Sequence, residues 1–148
     1  MAQITLKNLA HSYLPDPQSE RDYALKEMDH VWQDGGAYAL LGSSGCGKTT
    51  LLNIISGLLR PSHGRVLFGD RDVTDAPTAA RNIAQVFQFP VVYDTMSVRD
   101  NLAFPLRNRG MDPAYIKARV DQIAAMIGME SMLSRKAQGL TADAKQKI

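Results

Sequence analysis

The chain has 148 residues, 45% of them apolar and 22% charged, enough for the core of one domain or of part of a larger one. Its 17 basic and 15 acidic residues leave a net charge of +2, too balanced for a nucleic-acid-binding surface, so no nucleic-acid partner is expected. The single cysteine, Cys46, cannot form an internal disulfide and fits a reducing compartment. No stretch is long enough to span a bilayer and no charged-then-apolar leader opens the chain. Any work at a membrane is therefore expected to be peripheral.

Gln3 to Leu9 alternates apolar and polar residues and predicts a first strand, and Ala24 to Trp32 predicts a second, less regular one. The polar, proline-bearing stretch from Leu14 to Asp22 reads as a surface loop. After the Asp34-Gly35-Gly36 turn, Ala37 to Leu41 is a short apolar run with the character of a buried parallel strand. Gly42-Ser43-Ser44-Gly45-Cys46-Gly47-Lys48-Thr49 follows and matches G-x-x-x-x-G-K-[ST] at every specified position. Thr50 to Leu59 carries apolar residues at helical spacing, with Pro61 as a stop.

Gly64 to Phe68 and Arg71 to Val73 flank Gly69-Asp70, a tight reversal, and Ile83 to Gln88 predicts a further apolar strand. From Ser97 the pattern turns helical. Val98, Leu102 and Leu106 share one face, and Ile116, Val120, Ile123 and Ile127 form a second apolar stripe. Pro113 stands near the start of that second helix, where its missing N–H is harmless.

The strand, glycine loop and helix occur in the order that a nucleoside triphosphate site requires. Gly42, Gly45 and Gly47 permit the close backbone approach and positive φ of a phosphate cradle. Lys48 is expected against the β- and γ-phosphates, and the Thr49 hydroxyl on Mg²⁺. The helix N-terminus adds its partial positive charge. A chance match in a glycine-bearing turn is the competing reading, and the flanking elements weigh against it.

The glycine loop, the Val86-Phe87-Gln88 strand end and the segment from Tyr93 to Asn101 together resemble an ABC transporter ATP-binding subunit. Asn101-Leu102-Ala103-Phe104-Pro105-Leu106-Arg107 is similar to the branch that powers bacterial carbohydrate uptake, of the maltose or glycerol-phosphate importer kind. The resemblance implies an α/β fold: a P-loop NTPase core with N-terminal antiparallel β strands and the start of the ABC helical subdomain. Residues 1–96 would be the partial nucleotide-binding core and 97–148 the partial helical subdomain.

It implies ATP and Mg²⁺ as cofactors. ATP would be held by Tyr13, Gly42, Ser43, Ser44, Gly45, Cys46, Gly47, Lys48, Thr49 and Thr50. Mg²⁺ would be held by Thr49 and Gln88, with Gln88 and Lys48 as the catalytic pair. Tyr13 would stack on adenine, since a base offers a flat π-face. The carboxamide of Gln88 would reach the metal and the attacking water.

The implied partners are transmembrane permease subunits met by the loop from Phe89 to Ser97, a second ATP-binding subunit, and indirectly an external solute-binding protein. The implied place is the cytoplasmic face of the inner membrane. Two departures bear on activity. The family's acidic strand, water-polarising glutamate and switch histidine would all lie past Ile148. The chain as it stands is thus expected to bind nucleotide weakly and to hydrolyse almost none. The signature, usually Leu-Ser-Gly-Gly-Gln, aligns with Leu140-Thr141-Ala142-Asp143-Ala144, a departure that fits either pairing with a different ATP-binding subunit or a harmless variant within the family. Lys145 and Lys147 follow, as cations that would offset the Asp143 charge. An inert nucleotide-binding fragment and another P-loop protein, such as a nucleotide kinase, are the alternatives.

Overall fold

The computed structural model describes residues 3–148, which form two units, one ending at Gln85 and the other running from Val86 to Ile148. The first unit is built on a four-stranded sheet in the order β2-β1-β3-β4, with every neighbouring pair antiparallel. The strands are β1 (Ile4–His11), β2 (Leu25–Trp32), β3 (His63–Phe68) and β4 (Arg71–Asp72). Helix α1 (Lys48–Ser56) supplies Leu51 and Ile54 to a core shared with Leu6, Leu9, Leu25, Val66 and Val73. This is the α/β architecture with N-terminal antiparallel strands that the family resemblance implies.

Asn8 interrupts the alternation of β1. It adopts a left-handed φ of 47°, and the register slips on both sides of it, between Leu6 and Leu9 against β2 and between Lys7 and Ala10 against β3. A one-residue slip reverses which side chains face the core. Leu9, Ala10 and His11 are consequently buried in succession. The Asp29 carboxylate steadies the kink by accepting the Asn8 N–H at 2.8 Å.

Three expectations need correction here. Residues 37–41 and 83–88 are not strands, and Leu41 and Val86 are 88% and 81% exposed. A parallel strand owes its hydrogen bonds to its neighbours, and no described segment pairs with either run. Helix α1 ends at Gly57, not at Pro61, because Gly57 takes a left-handed φ of 80° and its N–H closes onto Asn53 and Ile54. A one-turn helix, α2 (Thr78–Arg81), precedes residues 83–88, where sequence periodicity gave no sign of it.

The second unit packs α3 (Val98–Asn108) on α4 (Pro113–Ile127) around Val98, Leu102, Ala103, Val120, Ala124, Met129 and Leu133. Both helices begin on side-chain caps. Ser97 Oγ accepts the Asp100 N–H, and the Asp112 carboxylate accepts those of Ala114 and Tyr115. Pro113 occupies the first turn as expected, and Gly128 ends α4 with a left-handed φ of 68°. A short helix, α5 (Ala142–Gln146), follows, with Thr141 as its cap.

Candidate nucleotide-binding site

Residues 42–46 form an exposed loop that turns through the part-buried Gly47 directly into α1. Gly47 is the cap residue, with a φ of 88°, and a β-carbon there would press on the Ala24 carbonyl oxygen. Glycine is therefore demanded twice at this point, by backbone conformation and by space. Gly45 also has a positive φ, of 81°. Gly42 does not share it; its missing side chain makes room for Cys46 Sγ instead.

No side chain caps α1. The first-turn amides of a helix have no intrahelical acceptor, so they are left to an anion or to solvent. Lys48 bends back over the loop. Its ammonium donates to the carbonyl oxygens of Gly42 and Ser43 at 2.7 and 2.6 Å and lies 3.4 Å from Cys46 Sγ. The cation thus stands in the hollow of the loop on neutral acceptors. A polyphosphate offers charged oxygens, which bind ammonium more strongly.

Thr49 is exposed on the first turn, while Thr50 is buried and its hydroxyl meets that of Tyr13 at 3.1 Å. Tyr13 is itself 64% exposed, and its hydroxyl sets it beside the first turn of α1. Tyr13, residues 42–48, Thr49 and Thr50 are gathered in the first unit. Gln88, exposed, belongs to the second. The described residues contain no cluster of three or more histidine, cysteine or acidic side chains able to hold a metal ion. The Thr49 hydroxyl suits Mg²⁺, a hard cation that keeps few protein ligands beside substrate phosphates.

Sequence reasoning missed two residues around this site. His11 is buried with its ring against Tyr13, at 4.6 Å between centroids. A histidine in a strand-end pattern gave no cue. Arg81 is buried under the far end of α1, donating to the carbonyl oxygens of Ile54 and Ile55 at 2.8 and 2.9 Å. It also donates to those of Thr74 and Ala76. Its only local signal was a charge in an otherwise unremarked stretch.

In the second unit, Phe89, Val91 and Tyr93 are 74%, 75% and 51% exposed in the loop before α3. Asn101 fixes that loop from within. Its side chain accepts the Tyr93 N–H and donates to the carbonyls of Tyr93 and Ser97.

Comparisons with known proteins bear on the family and the fold. The family model for ABC transporter matches residues 25–148. The sn-glycerol-3-phosphate import ATP-binding protein UgpC of Jannaschia sp. (strain CCS1) is 38% identical over the whole chain, which covers 41% of that relative. The trehalose/maltose import ATP-binding protein MalK of Thermococcus litoralis is 40% identical over 131 residues, 84% of this chain and 35% of that one. The chain thus spans about two fifths of the length of these curated relatives. Among solved structures, the ATP-binding cassette MJ0796, a post-hydrolysis dimer bound to ADP and Pi, superposes with a TM-score of 0.83 at 26% identity. That match covers 97% of this chain and 66% of the other.

Proposed function

This chain belongs to the ABC transporter family, and on that premise we propose that it is the ATP-binding part of an importer's motor subunit for a sugar or polyol-type solute. The observation that carries the reading is the loop of residues 42–47 with Lys48 folded into its hollow and an uncapped helix behind it. When bound, Mg²⁺ neutralises phosphate charge and orients the triphosphate. The chain's own residues do the rest. Loop amides and Lys48 would hold the β- and γ-phosphates, the Thr49 hydroxyl would hold Mg²⁺, and Tyr13 would offer its ring to the base. Gln88 lies in the second unit, and for it the family resemblance implies a carboxamide that would serve the metal and the attacking water.

The partners in this reading are a transmembrane permease, met by Phe89, Val91 and Tyr93, and a second ATP-binding subunit. Their place is the cytoplasmic membrane face. Apolar and aromatic side chains left exposed together suit an interface better than a solvated loop. In the signature segment Thr141 Oγ1 accepts the Ala144 N–H, and Asp143 lies 3.8 Å from Lys147. A carboxylate there repels a triphosphate, which favours a different subunit as the partner across the dimer.

Affinity purification of the tagged full-length protein from detergent-solubilised membranes tests the reading. A multispanning membrane protein should co-purify, and the pair Phe89→Ser and Val91→Ser should release it while ATP binding persists. Recovery without any membrane partner would overturn the assignment.

A further inference from the structure

Tyr13 is open to solvent over 64% of its surface, yet it is held at two points. Its hydroxyl lies 3.1 Å from Thr50 Oγ1 on the first turn of α1. Its ring meets the His11 ring edge-on, 4.6 Å between centroids with 88° between the planes. His11, at the end of β1, is only 6% exposed.

Ser62 decides how His11 is held. Its hydroxyl accepts the Ser12 N–H at 3.1 Å and approaches the Ser12 carbonyl oxygen at 3.1 Å and His11 Nδ1 at 3.3 Å. A serine hydroxyl has one proton and two acceptor sites. With its proton given to the Ser12 carbonyl, it accepts from His11, which places the imidazole proton on Nδ1. His11 Nε2 is then a buried lone pair without a hydrogen-bond partner among the described residues. A lone pair is the less costly atom to bury unpaired; an N–H there would forfeit a donor, and an imidazolium a charge as well. Ser12 is fixed in turn, its hydroxyl donating to the Asp22 carbonyl at 2.7 Å and accepting the Leu14 N–H at 3.1 Å. The backbone on both sides of Tyr13 is thereby anchored.

We propose that His11 is a positioning residue for base recognition: its neutral ring, oriented by Ser62, fixes Tyr13 between β1 and the first turn of α1 so that the open ring face receives the base of a nucleoside triphosphate. This rests on the reading of Tyr13 as the base platform. Aromatic stacking is not directional by itself, so its strength depends on how little ring motion is lost on binding. His11 and Thr50 remove that motion beforehand. His11 itself is expected to touch neither phosphate nor metal.

The test separates base from phosphate recognition. Dissociation constants for ATP and for inorganic tripolyphosphate are measured on the full chain and on His11→Ala, Ser62→Ala and Tyr13→Ala, each checked for folding by circular dichroism. His11→Ala should weaken ATP about tenfold, within the range that stacking contributes, and leave tripolyphosphate unchanged. Ser62→Ala creates no ring-sized cavity and should shift the ATP-to-tripolyphosphate ratio in the same direction by a smaller factor. If both variants leave the ratio at the wild-type value, or weaken both ligands equally, His11 has only a structural role and the inference fails. An altered ratio in Tyr13→Ala alone would retain the platform and overturn the His11 assignment. An unaltered ratio in Tyr13→Ala would remove the platform and the inference together.

Discussion

The Lys145 ammonium lies 2.6 Å from the Asp94 carboxylate, tying α5 to the loop that leads into α3 across 51 residues of sequence. The same loop is held by backbone bonds from Ala137 N–H to the Met96 carbonyl and from Gln138 N–H to that of Asp94, and by the Gln146 amide on the Phe87 carbonyl. Lys145 is thus committed to Asp94, which changes the role sequence reasoning offered it as a cation offsetting Asp143. Lys147, 3.8 Å from Asp143, keeps that role.

Lys145 is mostly buried while Asp94 is half-exposed, so solvent screening limits the pair. A double-mutant cycle with Asp94→Asn and Lys145→Met should give a coupling of about 0.5–1 kcal/mol in urea unfolding. Amide exchange across residues 87–96 should quicken in either single variant. Zero coupling with unchanged exchange would show the pair to be incidental.

Arg81 makes a stronger prediction. Its buried guanidinium donates to four carbonyl oxygens, two of them at the C-terminal end of α1 and two in the segment after β4. Burial lowers its pKa and Asp75 opposes that shift. Removing the fork leaves one buried and three part-buried carbonyl acceptors without their donor. Arg81→Met should therefore cost about 2–4 kcal/mol of stability. Arg81→Lys should restore little of it, because a point-like ammonium cannot span the same set of carbonyls. Chemical denaturation checks both variants; a loss below about 0.5 kcal/mol for the methionine would contradict the network.

The buried His11 imidazole sets a pH dependence. Burial pushes its pKa below the ordinary value, so between the folded and unfolded values the unfolded chain binds more protons. Stability then rises with pH across that window. The His11 contribution is fully present above about pH 6.5 and is lost as pH falls toward the folded value. Asp22, Asp72 and Asp100 are lowered chiefly by hydrogen bonds from Ser19, Thr74 and Ser97. Their contributions persist until pH falls below the ordinary carboxylate range. Thermal unfolding should show a falling Tm from pH 7.5 to 5.5 that is markedly reduced in His11→Gln. An equal fall in the variant would assign the effect elsewhere.

The sequence was most legible where a local rule closes on itself. The glycine loop, Ser97 capping α3 and the Asp112-Pro113 start of α4 each name their own geometry within a few residues. The antiparallel strands were visible by alternation until Asn8, where a left-handed residue broke the period that the prediction relied on. Residues 37–41 and 83–88 look like strands because they are apolar, but strand pairing is a relation between segments. Their own composition cannot supply a neighbour. His11 was hidden for a related reason. Its partners Tyr13, Ser62 and, through Tyr13, Thr50 converge from two strand ends and a helix, and no spacing in the chain announces that meeting.

On the function proposed above, the loop of residues 42–47 and Lys48 grip a nucleoside triphosphate. Titration calorimetry with ATP and Mg²⁺ on the full chain and on Lys48→Ala tests it most directly. Saturable binding to the full chain, weakened at least about tenfold in a folded Lys48→Ala variant, is the predicted result, since a charge-assisted contact to phosphate is lost. A folded chain that fails to bind ATP, or that binds it equally well without the Lys48 ammonium, would contradict the account.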